Sequence, residues 1–282
     1  MLDRILTLEN PMNATWMGPV CEVIATSMAR LDHHRHRLSQ VPAAAVRTGA
    51  VVAAKAVPKP HERARAVLHA RPARARPLSP ARFNRRLPAL AAWLPCRAAT
   101  VGEVRTTGAV CVIDRRPRPV CRRVRARGCH QGRGRIAWGY CAANAAQCFG
   151  WRLHRIGTPE GLPVRVALLP AALAALTPLH AVRVRVRAGS RRWGDTGSNR
   201  AKDAARSWAE AQLRLRPVRR THMQPHGWVV DALAVRAGRQ TSEPVHAPAA
   251  AMGIARLPTR TKAGGELKVH AALMALQCWN AN

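Results

Sequence analysis

The pattern of hydrophobic and polar positions is irregular over the first hundred residues and becomes regular beyond residue 105. An apolar, strand-like run from Cys148 to Thr158 meets the turn signal Pro-Glu-Gly at 159–161, and a second run follows from Leu162 to Leu169. Two such runs joined by a short turn that contains glycine are typical of a β-hairpin. We therefore predict a hairpin here, which would act as a scaffold for neighbouring elements.

Shorter patterns around the hairpin complete a mixed α/β prediction. The apolar run 109–114 predicts a strand that ends in an aspartate, and 213–219 alternates apolar and basic residues as a half-buried strand does. Residues 199–213 and 265–279 carry apolar positions at helical spacing. From the first strand onward the order is strand, hairpin, crossover, strand, helix, strand and further helices.

A helix start is also predicted upstream, at "SPARFNRRLPAL" (79–90). Ser79 suits the N-cap and Pro80 the first helical position, and Phe83 and Leu87 follow at i, i+4 spacing. Three arginines lie on another face of this helix, where they suit either phosphate groups or water: Arg82, Arg85 and Arg86. Residues 1–50 show no clean periodicity, so they are left unassigned or disordered.

The charge balance points to an acidic partner. The chain of 282 residues has 47 Lys+Arg against 14 Asp+Glu, a net charge of +33, and arginine supplies most of it. A polyphosphate is the natural counterpart, since each neutralised phosphate releases counterions. The same surplus would also follow from a biased base composition of the coding sequence, so charge alone leaves both explanations open.

Two other classes of protein are disfavoured. The longest apolar stretch, 166–176, is too short to cross a bilayer and contains Pro170, so we expect no membrane association and a cytoplasmic location. The cysteines are expected to be thiols in that location. No Cys-x2-Cys or Cys-x4-Cys pair occurs among the cysteines, which disfavours a structural zinc site.

Acidic residues are scarce, so their positions carry weight. Asp114 ends a predicted strand, Asp195 lies in a Gly-Asp-x-Gly turn, and Glu243 lies in a weakly helical stretch. Three such carboxylates could converge at one edge of a sheet and hold two divalent cations for phosphodiester chemistry. Alternatively, the two aspartates are turn residues and the glutamate is a surface residue.

Six segments in a fixed order carry a resemblance to a known family: "LSPARFNRRLPALAAWL" (78–94), "VIDRRPRPVC" (112–121), "GYCAANAAQCFGWRLHRIGTPEGLPVRVALLP" (139–170), "GDTGSNRAKDAA" (194–205), "RPVRRTHMQPHGW" (216–228) and "AMGIARLPTRTKAGGELKVHAALMALQCWNAN" (251–282). Together they resemble the DDE transposases of bacterial insertion sequences, over roughly residues 51–282. The resemblance implies an RNase-H-like catalytic domain, a mixed sheet with flanking helices, at 105–282. It also implies a helical DNA-binding region at 51–104, and the hairpin would supply the second and third strands.

The resemblance also implies roles for individual residues. Asp114, Asp195 and Glu243 would be the catalytic carboxylates and would bind two Mg²⁺ or Mn²⁺ ions. Arg239 matches a family arginine that can contact DNA phosphate or orient the glutamate. Lys262 and Lys268 are candidate contacts to double-stranded DNA, and a solvated helix face would explain these two lysines equally well. The three arginines of the 79–90 helix join them as candidate DNA contacts. The implied activity is strand cleavage and transfer in transposition, a form of DNA recombination, by a nucleoid-associated protein that could act as a homodimer.

Several residues depart from the family pattern and leave alternatives open. Arg115 replaces a small hydroxyl residue after the first aspartate, and Thr196 and Ser198 replace a lysine and a tyrosine after the second. Pro244 directly follows Glu243, so a helix carrying this glutamate would have to start at about Ser242. The chain could therefore be an active enzyme, an inactive remnant that at most binds DNA non-specifically, or a product that does not fold.

Overall fold

The structure is a computed structural model, and it describes residues 11–30, 41–56, 79–89, 93–95, 110–129, 137–141, 145–173, 189–194, 212, 214–217 and 261–279, with positions 205, 208, 209, 233, 237, 252 and 254. The helices are α1 (Pro11–Arg30), α2 (Ala43–Ala56), α3 (Pro80–Ala89) and α4 (Lys262–Trp279), with a 3₁₀ helix at Arg123–Gly128. The strands are β1 (Val110–Pro119), β2 (Trp138–Cys141), β3 (Ala146–Gly157), β4 (Pro163–Pro170), β5 (Arg191–Gly194) and β6 (Arg214–Pro217).

The six strands form one mixed sheet. Strand β3 is antiparallel to β1, β2 and β4, whereas β1 is parallel to β5 and β5 is parallel to β6. The antiparallel half is built from neighbouring stretches of chain, and the parallel half requires crossover connections. Helices pack against this sheet, so the predicted mixed α/β class is confirmed.

The predicted hairpin is present as β3 and β4. Its turn is closed by backbone hydrogen bonds from the Thr158 N–H to the Leu162 carbonyl (2.8 Å) and from the Gly161 N–H to the Thr158 carbonyl (3.0 Å). The Thr158 hydroxyl also accepts from the Leu162 N–H at 3.2 Å. Gly161 has φ 95°, a conformation that favours glycine, which explains the Pro-Glu-Gly signal.

Strand β1 is longer than the sequence pattern predicts. It was expected to end at Asp114, but it continues to Pro119 because the hairpin strand β3 pairs with it along that whole length. Its pairing with β5 covers only Val110 to Val112. Beyond Val112 that side of β1 faces no described strand, and this is where Pro117 and Pro119, which have no N–H to donate, can be accommodated.

The core lies between one face of the sheet and the helices. Helix α4 is buried from Leu267 to Gln277 except at Lys268, and it packs in one cluster with α2, α3 and the sheet residues Trp151, Leu153 and Leu168. The Gln277 side-chain amide donates to the Pro163 carbonyl at 2.8 Å, which ties the helix to the start of β4. The helix predicted over 265–279 is therefore confirmed, and it is the centre of this core.

The N-terminal part contains helices that the pattern did not predict. Helix α1 lies wholly and helix α2 partly inside the unassigned stretch 1–50, and Val20, Ile24 and Met28 of α1 are buried in the main core. Helix α3 was predicted: the Arg82 N–H donates to the Ser79 hydroxyl at 3.3 Å, as an N-cap requires. In the part of the chain that the structure describes, no helix is both long and apolar enough to cross a membrane.

We expect Gly150→Ala to destabilise the protein by about 1–3 kcal/mol, because Gly150 has φ 145°, a backbone region close to glycine-only. A Cβ there would lie 2.7 Å from the Arg118 carbonyl oxygen and 2.8 Å from the Val120 nitrogen. Gly128→Ala is the matched control, since a Cβ at Gly128 meets nothing within 4 Å. Urea unfolding of both variants measures the difference, and equal midpoints would contradict the placement of β1 against β3.

Acidification should destabilise the protein through His270. Burial lowers the pKa of its imidazole below the ordinary value of 6.5, although its contact with the Glu266 carbonyl opposes this shift. The unfolded chain therefore takes up a proton below about pH 6.5 that the folded chain resists, so stability falls as the pH decreases from there. The His270→Gln variant keeps a hydrogen-bond donor but has no side chain that titrates in this range, so it should lose this pH dependence of stability. Unfolding of both proteins between pH 7 and 5 tests this, and parallel curves would refute it.

Candidate functional site

Asp114 lies on β1 at the point where the strand loses its parallel neighbour. It stands two residues beyond Val112, the last residue of β1 that pairs with β5. Its carboxylate is on the same face as Val112 and Arg116, because side chains alternate along a strand. The Arg115 N–H donates to Asp114 Oδ1 at 2.6 Å. The Asp114 side chain is only 17 % exposed, so the carboxylate is partly withdrawn from solvent.

Three arginines lie on the same sheet face as this carboxylate and interact with its charge. Arg116 Nε lies 3.9 Å from Asp114 Oδ2, and Arg155 is the residue directly opposite Asp114 on β3. Burial lowers the pKa of Arg155, and it lowers the pKa of Arg118 to about 10, while the Asp114 charge raises both. Asp114 is thus the counter-charge of a basic cluster that we call the Asp114 cluster: Asp114, Arg116, Arg118 and Arg155.

The two other predicted carboxylates lie outside the described residues. Asp195 directly follows Gly194, the last residue of β5, and Glu243 belongs to a stretch with no described neighbour close in sequence. The predicted convergence of Asp114, Asp195 and Glu243 therefore stays a prediction. Among the residues described, no group of three His, Cys, Asp or Glu side chains is placed to hold a metal ion.

Asp114 alone meets part of what a divalent cation needs. Its carboxylate oxygens are hard ligands of the kind that Mg²⁺ and Mn²⁺ prefer. The ion pair of Oδ2 with Arg116 is long, and the Arg116 side chain is 40 % exposed, so a cation could replace it. The buried Arg118 and Arg155 oppose a cation by charge repulsion. The Asp114 carboxylate could therefore supply one ligand to a divalent cation, and the positive charge of the buried arginines would weaken the binding of that cation.

The arginines predicted to contact DNA on α3 have two different environments. Arg82 and Arg85 are exposed on the surface of the helix. Arg86 is half-buried, and its Nη2 donates to the Val41 carbonyl at 2.9 Å, so it links α3 to the start of α2. Arg82 and Arg85 remain accessible to a phosphate, whereas Arg86 also has a structural contact.

The two predicted lysine contacts also differ. Lys262 is exposed at the start of α4, where its Nζ lies 3.3 Å from Glu266 Oε1 and 5.8 Å from the centre of the Trp151 ring. Lys268 is half-buried in an apolar cleft, and burial lowers the pKa of its amino group. The remaining predicted contact, Arg239, lies outside the described residues.

The Asp114 cluster was not predicted from the sequence, although a signal for it exists. In "VIDRRPRP" the residues Asp114, Arg116 and Arg118 are two apart, which places them on one face of a strand that continues past the aspartate. The apolar pattern alone predicts that the strand ends at Asp114. The position of Arg155 opposite Asp114 needs the register of β1 against β3, which no local pattern contains.

Asp114→Asn is expected to lower the free energy of unfolding by about 1–3 kcal/mol, since it removes the counter-charge of the buried Arg118 and Arg155. The matched control is Arg116→Gln, which breaks the long ion pair at its exposed end and should cost less than about 1 kcal/mol. Thermal unfolding at neutral pH measures both. Equal losses would mean that the buried arginines do not depend on this carboxylate.

The chain matches no protein-family model, no curated protein and no solved structure. The chemistry of the site is therefore inferred from its own residues, above all from Asp114, its position on β1 and the guanidinium groups around it.

Proposed function

We propose that this chain acts on DNA as a metal-dependent strand-transferring enzyme of the DDE transposase type, with an RNase-H-like catalytic domain. The observation that carries this proposal is the position of β1. The strand that bears Asp114 lies between β3 of the hairpin and the parallel strand β5, whose last residue, Gly194, precedes Asp195. Both the hairpin and the two aspartates thus stand in the order that the sequence resemblance implies.

The pairing of β1 with β5 supports a meeting of the two aspartates. The register joins Val110 to Arg191 and Val112 to Trp193. Two positions further along each segment stand Asp114 and Asp195. Because parallel strands run in the same direction, Asp195, which directly follows the end of β5, would come level with Asp114, which lies within β1 beyond its last pairing with β5, at this edge of the parallel half of the sheet. This edge is where a cation shared by two carboxylates would be held.

In this proposal the protein groups hold the reactants. Asp114, Asp195 and Glu243 would bind the divalent ions, which supply Lewis-acid activation of a water or 3′-hydroxyl and stabilise the leaving oxygen. The exposed arginines would bind the phosphate backbone and so orient the scissile bond. The limited exposure of Asp114 keeps bulk water away from its side of the site and strengthens its electrostatic interactions.

A second function is supported by the Asp114 cluster. Arg118 and Arg155 are buried beside Asp114, and their positive charge competes with a cation for the same carboxylate. A protein of this kind would bind DNA through its basic surface without cleaving it. The two functions share the DNA partner and differ in whether Asp114 binds a metal ion or neutralises arginine.

A plasmid assay separates the two functions. With Mg²⁺ or Mn²⁺ the wild-type chain should convert supercoiled plasmid into the nicked form, and Glu243→Gln should abolish this because a metal ligand is lost. Glu160→Gln is the matched control, since Glu160 is an exposed carboxylate in the hairpin turn and should leave nicking unchanged.

The outcomes are distinct if each variant is first shown to unfold like the wild type. Nicking that survives Glu243→Gln would show that this glutamate is not part of the site. A wild-type chain that binds duplex DNA but cuts nothing with either metal would establish the second function instead. A chain with no cooperative unfolding transition would contradict both functions.

A further inference from the structure

A short segment after β1 presents arginines to solvent at high density. We call residues 120–129 the arginine loop. It contains the 3₁₀ helix Arg123–Gly128, and four of its residues are exposed arginines: Arg122, Arg123, Arg125 and Arg127. The sequence contains no acidic residue between Asp114 and Glu160, so no neighbour in the chain balances these charges.

The arginine loop is held by a small apolar cluster of its own. Ala126 is buried against Ala137 and Phe149, and Phe149 packs edge-on against Trp138 with ring centres 5.2 Å apart. The Val120 N–H donates to the Phe149 carbonyl at 3.1 Å, which fixes the start of the loop to β3.

The two ends of the loop are also in contact. Burial and the neighbouring Cys129 thiol raise the pKa of the Cys121 thiol, and both cysteines pack against the same apolar cluster. The Cys129 N–H donates to the Ala126 carbonyl at 3.2 Å, and the Arg125 N–H donates to the Arg122 carbonyl at 2.9 Å. The arginines are therefore carried on an ordered turn, so little conformational freedom of the backbone is lost when a partner binds.

The spacing of the side chains suits a charged backbone. In a 3₁₀ helix, residues three apart eclipse each other at a separation of about 6 Å along the axis. Val124 and Arg127 form one such pair within the helix, and Arg125 is tied to the N-cap residue Arg122 by the bond from its N–H to the Arg122 carbonyl. Duplex DNA presents a negative charge about every 1.7 Å along its axis, so a row of this kind can contact several phosphates. Val124 is 87 % exposed between two arginines and would be covered by such a partner.

We propose that the arginine loop is a phosphate-binding surface of this protein and that its partner is the backbone of duplex DNA. The inference deepens the proposed function, because it names the surface that holds the DNA. It differs from the contacts predicted on α3 and α4, since the loop follows the strand that bears Asp114. The bound duplex would then lie beyond the same edge of the sheet as the end of β5.

The test compares two variants that lose the same charge. Arg122→Gln/Arg125→Gln removes two exposed arginines from the loop, and Arg191→Gln/Arg214→Gln removes two exposed arginines that pair with each other at the first positions of β5 and β6. Binding of a fluorescent duplex is measured by anisotropy between 50 and 200 mM salt without divalent metal. A phosphate contact contributes about 0.9 to the slope of log K against log salt.

The loop variant should lower the magnitude of this slope by about 2, and the control variant should leave it unchanged. Equal losses in both variants, or none in either, would overturn the proposal, because binding would then follow total charge or another surface. It would also be overturned if the loop variant lost affinity for vesicles of anionic lipid and kept its affinity for the duplex.

A conservative variant controls for loss of structure. Arg122→Lys/Arg125→Lys keeps both charges and should keep the slope near that of the wild type, whereas a slope that falls as far as in the glutamine variant would contradict a phosphate role. Because no metal is present, the result does not depend on cleavage. If the chain binds DNA through the loop but never nicks plasmid, the proposed enzymatic function is contradicted and the proposed DNA-binding surface is still supported.

Discussion

Helix α4 lies between the sheet face formed by Trp151, Leu153 and Leu168 and the helices α2 and α3, and its buried side chains contact both layers. Fully burying one side chain of the size of Leu or Met contributes about 1.5–3 kcal/mol. Helix α4 buries Leu267, Met274 and several neighbours in this way. Without it the sheet and the N-terminal helices would each expose an apolar surface, so this one helix makes them a single structure.

The sheet face that packs against α4 becomes charged towards Asp114. Beside the apolar residues it carries Arg118 and Arg155, both buried, and the nearest counter-charge described is one carboxylate. A buried charge is tolerated only when it is paired, because desolvation is costly. The stability of this half of the sheet and the availability of Asp114 for a metal ion therefore oppose each other. Any gain in metal binding at Asp114 weakens the neutralisation of the arginines.

Local patterns predicted the elements whose contacts are themselves local. The hairpin, the N-cap at Ser79 and the helix over 265–279 follow from turn chemistry and from periodicity. Helix α1 was missed because other apolar residues, such as the exposed Val23, obscure the i, i+4, i+8 row of Val20, Ile24 and Met28 that packs into the core. The full length of β1 was missed because its prolines normally end a strand, and only the pairing with β3 shows that they are accommodated.

The sequence singled out part of the candidate site as well. Asp114 could be singled out as one of few acidic residues in a basic chain, and its strand was placed correctly next to the hairpin. Its neighbour Arg155 could not be found, because the pairing of Asp114 with Arg155 joins residues far apart in the sequence. The arginine loop is visible in the sequence as a run of charge. That it is ordered depends on Phe149 and Ala137, which are distant in the chain.

The position of α4 in the chain has a consequence for biosynthesis. It follows every other described element, so during translation α1, α2, α3 and the complete sheet leave the ribosome before the helix that covers them. Until then Leu153, Leu168 and their neighbours lack their main apolar partner. Nascent chains with exposed apolar surface and unfinished sheets are prone to association. A chain interrupted before Lys262 should therefore keep this apolar surface exposed and tend to aggregate.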